Sequence, residues 1–170
     1  MKKTAWFNRH FPVIEDNGLL PVIIERLAGA PVRLQELLAD VPEEVLTRKP
    51  DDKWSAKEHA GHLADLEPLW YSRLEDLLEG KPELTVADLT NQRTHNANHN
   101  ASTVAELIAA FKTWRAKFVT RLWQVEESSL EHTALHPRLR TPMRIIDLVY
   151  FVAEHDDHHL SAIREMIVQA

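Results

Sequence analysis

Apolar residues recur along this chain three and four positions apart, the spacing of one helix face, and nowhere alternate as a half-buried strand would. Leu19, Leu20, Ile23, Ile24, Leu27, Leu34, Leu37 and Leu38 trace the first such face, over 17–40. Gly29 and Pro31 fall in its middle, so the pattern predicts one kinked helix or two abutting segments. Pro42 and Pro50 mark 41–53 as a connection. Ser55 followed by Glu58 is a capping box, in which each side chain bonds to the other residue's backbone N–H. It starts a helix that turns Leu63, Leu66, Leu69, Trp70, Leu74 and Leu77 inward and ends near 79, before Gly80 and Pro82. Asp65 and Arg73 are expected largely off that face. A second capping box, Thr103 with Glu106, starts a helix to about 126. Its apolar face runs from Val104 to Leu122, and Arg115, Lys117 and Arg121 are expected on its solvated side. The last helix is predicted over 142–168, with Thr141 as N-cap and Pro142 at the first position, where no N–H is needed.

Four long helices without strands predict an all-α fold, a four-helix bundle, with long connections after the second and third helices (80–101 and 127–140). The 170 residues are expected to form a single domain, 1–170, in which 1–16 is an N-terminal arm carrying Trp6, Phe7 and Phe11. The connection 80–101 is long enough either to hide a short helix or to carry function.

Composition adds exclusions. A net charge of -6, with Lys and Arg scattered, predicts no direct nucleic-acid binding. The absence of cysteine excludes disulfides, a cysteine nucleophile and cysteine-based zinc sites. No stretch approaches the roughly 20 apolar residues of a membrane span, and no apolar segment follows the two N-terminal lysines, so the expectation is a cytoplasmic protein without membrane contact.

The ten histidines are the compositional anomaly. His155 and His159 lie one turn apart on the apolar face of the last helix, a spacing that lets two imidazoles share one divalent ion. On the second long helix, His59 and His62 both lie near the apolar stripe, and periodicity does not choose between them, His59 being nearer its centre. The alternative for each is a hydrogen-bonded core histidine. His95, Asn98 and His99 in the first long connection, and His136 and Arg138 in the second, are candidates for a substrate pocket, with Arg138 able to pair with an anion. Asp65, Glu58 and Asp156 are candidates to orient ligand rings, against the commoner outcome of helix-surface carboxylates. Trp54, Trp70 and Trp114 read as core residues.

Two segments, Lys53-Trp54-Ser55-Ala56-Lys57-Glu58-His59-Ala60-Gly61-His62-Leu63 and Ala153-Glu154-His155-Asp156-Asp157-His158-His159-Leu160-Ser161-Ala162-Ile163, resemble the DinB/YfiT-like superfamily in order and separation. The resemblance covers nearly the whole chain and implies a bundle that holds a divalent metal, zinc or nickel, through His62, His155 and His159. It thereby selects His62 over His59. It further implies a metal-dependent enzyme acting on a small-molecule substrate by hydrolysis or low-molecular-weight thiol transfer, with any thiol supplied as a cosubstrate, and a possible homodimer. The competing expectation is a stress-related helical bundle that binds a metal or ligand without turnover. No catalytic residue or general base is identified.

Overall fold

Gly29 joins the two halves of the first apolar run. In the computed structural model, which describes residues 3–169, α1 (Leu20–Ala28) and α2 (Ala30–Leu38) meet at this glycine, whose dihedrals stay helical. Pro31 falls in the first turn of α2, where its missing N–H costs nothing, so the two helices form one nearly continuous rod. A short helix, α3 (Glu43–Thr47), interrupts the connection that follows.

The Ser55–Glu58 box starts α4 (Ala56–Leu78): Ser55 Oγ accepts from the Glu58 N–H at 3.2 Å, and Glu58 Oε2 accepts from the Ser55 N–H at 2.9 Å. The long connection after α4 holds α5 (Gln92–Asn96) and a 3-10 turn, His99–Ala101. The Thr103–Glu106 box starts α6 (Val104–Leu122), which ends four residues before the predicted 126.

The last helix begins later than its sequence pattern predicts. Pro142 does not open it and Thr141 does not cap it. Instead β1 (Ala134–Leu135) pairs antiparallel with β2 (Pro142–Met143), Ala134 opposite Met143. The His136 N–H donates to the Thr141 carbonyl at 2.9 Å. Helix α7 (Ile145–Val168) starts only after this ribbon, where Asp147 Oδ2 accepts from the Arg144 N–H at 3.0 Å. The ribbon folds 136–141 back onto the bundle.

The α1/α2 rod packs against α6 and α7, as does α4, so the first two rods face each other diagonally. The apolar core is split in two. Leu27, Trp70, Leu74, Phe118 and Phe151 belong to one cluster; Leu34, Leu63, Phe111, Leu160 and Ile163 belong to the other. Between them Glu67, Arg115 and Asp156 form a buried ionic layer linking α4, α6 and α7. Arg115, expected in solvent, is 1% exposed. It bonds Glu67 and Asp156, each at 2.6 Å, and the Leu27 carbonyl at 2.9 Å. A buried guanidinium is stable only when its charge and donors are met in this way. No helix of the described residues is long and apolar enough to cross a membrane.

Candidate metal centre

His62 lies in the second turn of α4, on the face that meets α7, where His155 and His159 stand one turn apart. All three are buried, and each offers a ring nitrogen within 4.8 Å of the other two. The Nε2 atoms of His155 and His159 are 3.1 Å apart. Two nitrogens bound to one tetrahedral zinc at about 2.0–2.1 Å would be about 3.3 Å apart, a spacing the His155–His159 pair already has, and the His62 nitrogen lies close enough to join them on one divalent first-row ion.

The surrounding bonds select which nitrogen each ring presents. Thr94 of α5 donates its hydroxyl to Asp65 Oδ2 at 2.9 Å and therefore accepts from His62 Nδ1–H, also at 2.9 Å. The proton of His62 is thus on Nδ1, and Nε2 is free to bind. Asp65 also accepts from His99 Nε2 at 2.8 Å. His99 packs so closely on α4 that a Cβ at Gly61 would fall 2.3 Å from its ring. Asp65, expected largely off the buried face, is half-buried and is the acceptor at the base of this relay. His159 Nδ1 meets His59 Nδ1 at 2.8 Å, which leaves His159 Nε2 toward the cluster. His155 Nδ1 has no protein partner among the described residues. The other two carboxylates considered from sequence act elsewhere: Glu58 caps α4, and Asp156 pairs with Arg115.

Burial keeps these imidazoles neutral, the state in which they bind metals. Desolvation pushes His62 down to about 3, opposed by Asp65 and reinforced by His59. It drives His155 and His159 well below the ordinary range, and the neighbouring histidines add to the effect. Asp65 is pulled below its usual value: burial raises it, but the hydrogen bonds from His99 and Thr94 outweigh that.

A cavity of about 400 Å³ opens beside the cluster. Trp54, half-buried rather than core, lines it with its ring 4.6 Å from that of His62. Trp6, from the N-terminal arm, lies 5.1 Å from His155, so this part of the arm covers its own bundle; the arm's first two residues lie outside the described ones. Trp70 is buried and forms a wall, while Trp114 is half-buried away from the cavity, with Lys117 over its ring. His136 and Arg138 line the cavity, carried there by the β1–β2 ribbon. His95, Asn98 and His99 do not. His95 is exposed, Asn98 is exposed in a left-handed conformation at φ 52°, and His99 is turned toward Asp65. The same connection reaches the cavity through Val86, Asp88, Leu89 and Asn91 instead.

Thr94 and Arg73 are site residues that sequence reasoning missed. Thr94 carried no signal. Arg73 did: it lies eleven residues after His62, three helical turns, and shares its face. It is 2% exposed, not off the face.

Residues 26–163 match the DinB superfamily. No curated protein matches the sequence. A solved structure, YfiT from Bacillus subtilis, superposes with a TM-score of 0.82 over 94% of this chain and 93% of that one, at 16% identity. It is described as a probable metal-dependent hydrolase with an unusual four-helix bundle topology. At that identity the likeness establishes the fold. With most of its length matched, this chain belongs to the DinB superfamily.

Proposed function

We propose that this protein is a metal-dependent hydrolase of a small molecule, holding a divalent ion through Nε2 of His62, His155 and His159. The observation that carries this reading is the convergence of three buried, neutral imidazoles beside a cavity of about 400 Å³. The description of YfiT as a probable metal-dependent hydrolase supports it. Three nitrogen ligands are the pattern of a catalytic ion rather than a closed structural one, and zinc or nickel suits imidazole donors. Such an ion supplies Lewis acidity and lowers the pKa of water. The protein's own residues orient the donors: Thr94 holds His62, and His59 holds His159. Trp54 and Trp6 restrict water around the rings. Transfer of a low-molecular-weight thiol would use the same three nitrogens, with the thiol arriving as cosubstrate because the chain has no cysteine.

The test is metal analysis of protein purified without a histidine tag, followed by assays on ester, amide and lactone panels with and without added thiol. Wild-type protein is expected to carry close to one ion per chain, and His155→Ala to lose both the ion and turnover. Background metal in the wild type, or full retention by His155→Ala, refutes the site. A bound ion with no turnover on any panel favours a binding protein over an enzyme.

A further inference from the structure

The cavity wall carries a second cluster, made of Arg73, His136 and Arg138. Arg73 is almost fully buried, and its Nε donates to the Thr85 carbonyl at 2.9 Å. Asp76, the carboxylate whose charge it feels, is bonded instead to Lys81 and Thr85. Arg138 Nη2 is buried with no partner among the described residues. Asp88, also on the cavity wall, directs its oxygens to Thr90 and Gln92. Two guanidiniums therefore share one cavity with no carboxylate paired to either among the described residues. Charges in such a position are costly without a counter-ion.

His136 sharpens the argument. Its Nδ1 faces the backbone N–H groups of Arg138 and Leu139, both at 3.2 Å, and its Nε2 faces Arg73 Nη1 at 3.1 Å. A neutral imidazole has one acceptor nitrogen, and here both nitrogens face donors. With Nδ1 accepting from the two backbone groups, Nε2–H points at a guanidinium N–H. An oxyanion that accepts from both would remove the conflict. Burial holds the ring neutral, down to about 3, and the charges of Arg73 and Arg138 reinforce it. The Trp70 ring touches both clusters, with His155 5.4 Å from its centroid and the Arg73 guanidinium 5.5 Å away. The other walls include Phe7, Leu66, Leu89 and Phe151.

We propose that Arg73, His136 and Arg138 form an oxyanion subsite, so that the cavity takes a small molecule with an apolar body and a carboxylate or phosphate head. As an account of the substrate this rests on the functional reading above; as an account of binding it is tested without metal. Chelator-treated, full-length protein is titrated calorimetrically, at constant ionic strength, with phenylacetate, phenyl phosphate and neutral phenylacetamide. At least one anion is expected to bind about tenfold or more tightly than the amide, and the tighter of the two identifies the head group. Arg138→Gln is expected to abolish that preference, while Arg138→Lys, which keeps the charge, retains part of it. Equal binding of anions and amide, or an undiminished preference in a folded Arg138→Gln, overturns the subsite. Anion preference in a chain that binds no metal would leave the subsite standing and refute the hydrolase. Metal binding without anion preference would do the reverse.

Discussion

Thr94→Val tests the relay that orients His62. Valine matches threonine closely in volume, so the substitution removes one hydroxyl and little packing. Two bonds are lost: the one accepted from His62 Nδ1 and the one donated to Asp65, each 2.9 Å. His62 is buried, so its Nδ1–H is left without a partner, a cost of about 1–3 kcal/mol. Outer-sphere partners of metal-bound histidines contribute about 10–100-fold to affinity, or about 1.4–2.8 kcal/mol, which is the same range from independent grounds. Zinc affinity, measured by competition with a fluorescent chelator, is therefore expected to fall about 10–100-fold in Thr94→Val and to be largely retained in Thr94→Ser. Urea unfolding of the metal-free proteins separates the two contributions, because an effect on the fold appears there as well. An affinity within about twofold of wild type would refute the reasoning, since it would mean that the hydroxyl neither sets the tautomer nor holds the ring.

Arg115→Met leaves Glu67 and Asp156 facing each other in the core, and is expected to destabilise by about 3–5 kcal/mol in urea unfolding; adding Glu67→Gln and Asp156→Asn should recover part of that loss, and a mild single variant would show that the layer is not coupled. Gly61→Ala places a methyl group 2.3 Å from the His99 ring, so it should destabilise by about 1–3 kcal/mol and weaken zinc binding through the shift of Asp65; an unchanged melting temperature would contradict the packing. His136 supplies a pH test. Its imidazole is held at about 3 in the folded protein, mainly by burial, against about 6.5 when unfolded. The unfolded chain thus binds the extra proton between those values, and stability is full above about 6.5 and is lost as pH falls toward 3. Metal-free wild type should lose stability on acidification more steeply than His136→Gln, by up to about 1.4 kcal/mol per pH unit, and parallel slopes between pH 4 and 6 would show that His136 is not held neutral.

These sites differ in how far they could be read in advance. His155 and His159 were visible because a four-residue interval on one helix is a local fact. His62 was not separable from His59 by that logic, since both lie on the same side of α4. Their difference lies in what reaches them from other elements: Thr94 of α5 bonds His62, and His159 of α7 bonds His59. Arg115 was misread for a related reason. A charge within an amphipathic helix defaults to the solvent side, and only carboxylates arriving from α4 and α7 make burial tolerable. Pro142 was misread because a proline after a threonine is a sound helix start, yet backbone pairing with Ala134 and Leu135 competes for the same residues. Of the predicted pocket residues, His136 and Arg138 reach the cavity by that ribbon, whereas His95, Asn98 and His99 turn to solvent or to Asp65.

By itself, the sequence determined the rods, the capping boxes of α4 and α6 and the paired histidines of α7, because periodicity and capping act over a few residues. The tertiary structure decided which histidine of α4 joins them, which arginines leave water, and what lines the cavity. Those outcomes depend on partners far apart in the chain, whose bonds form only when α4 packs against α5, α6 and α7.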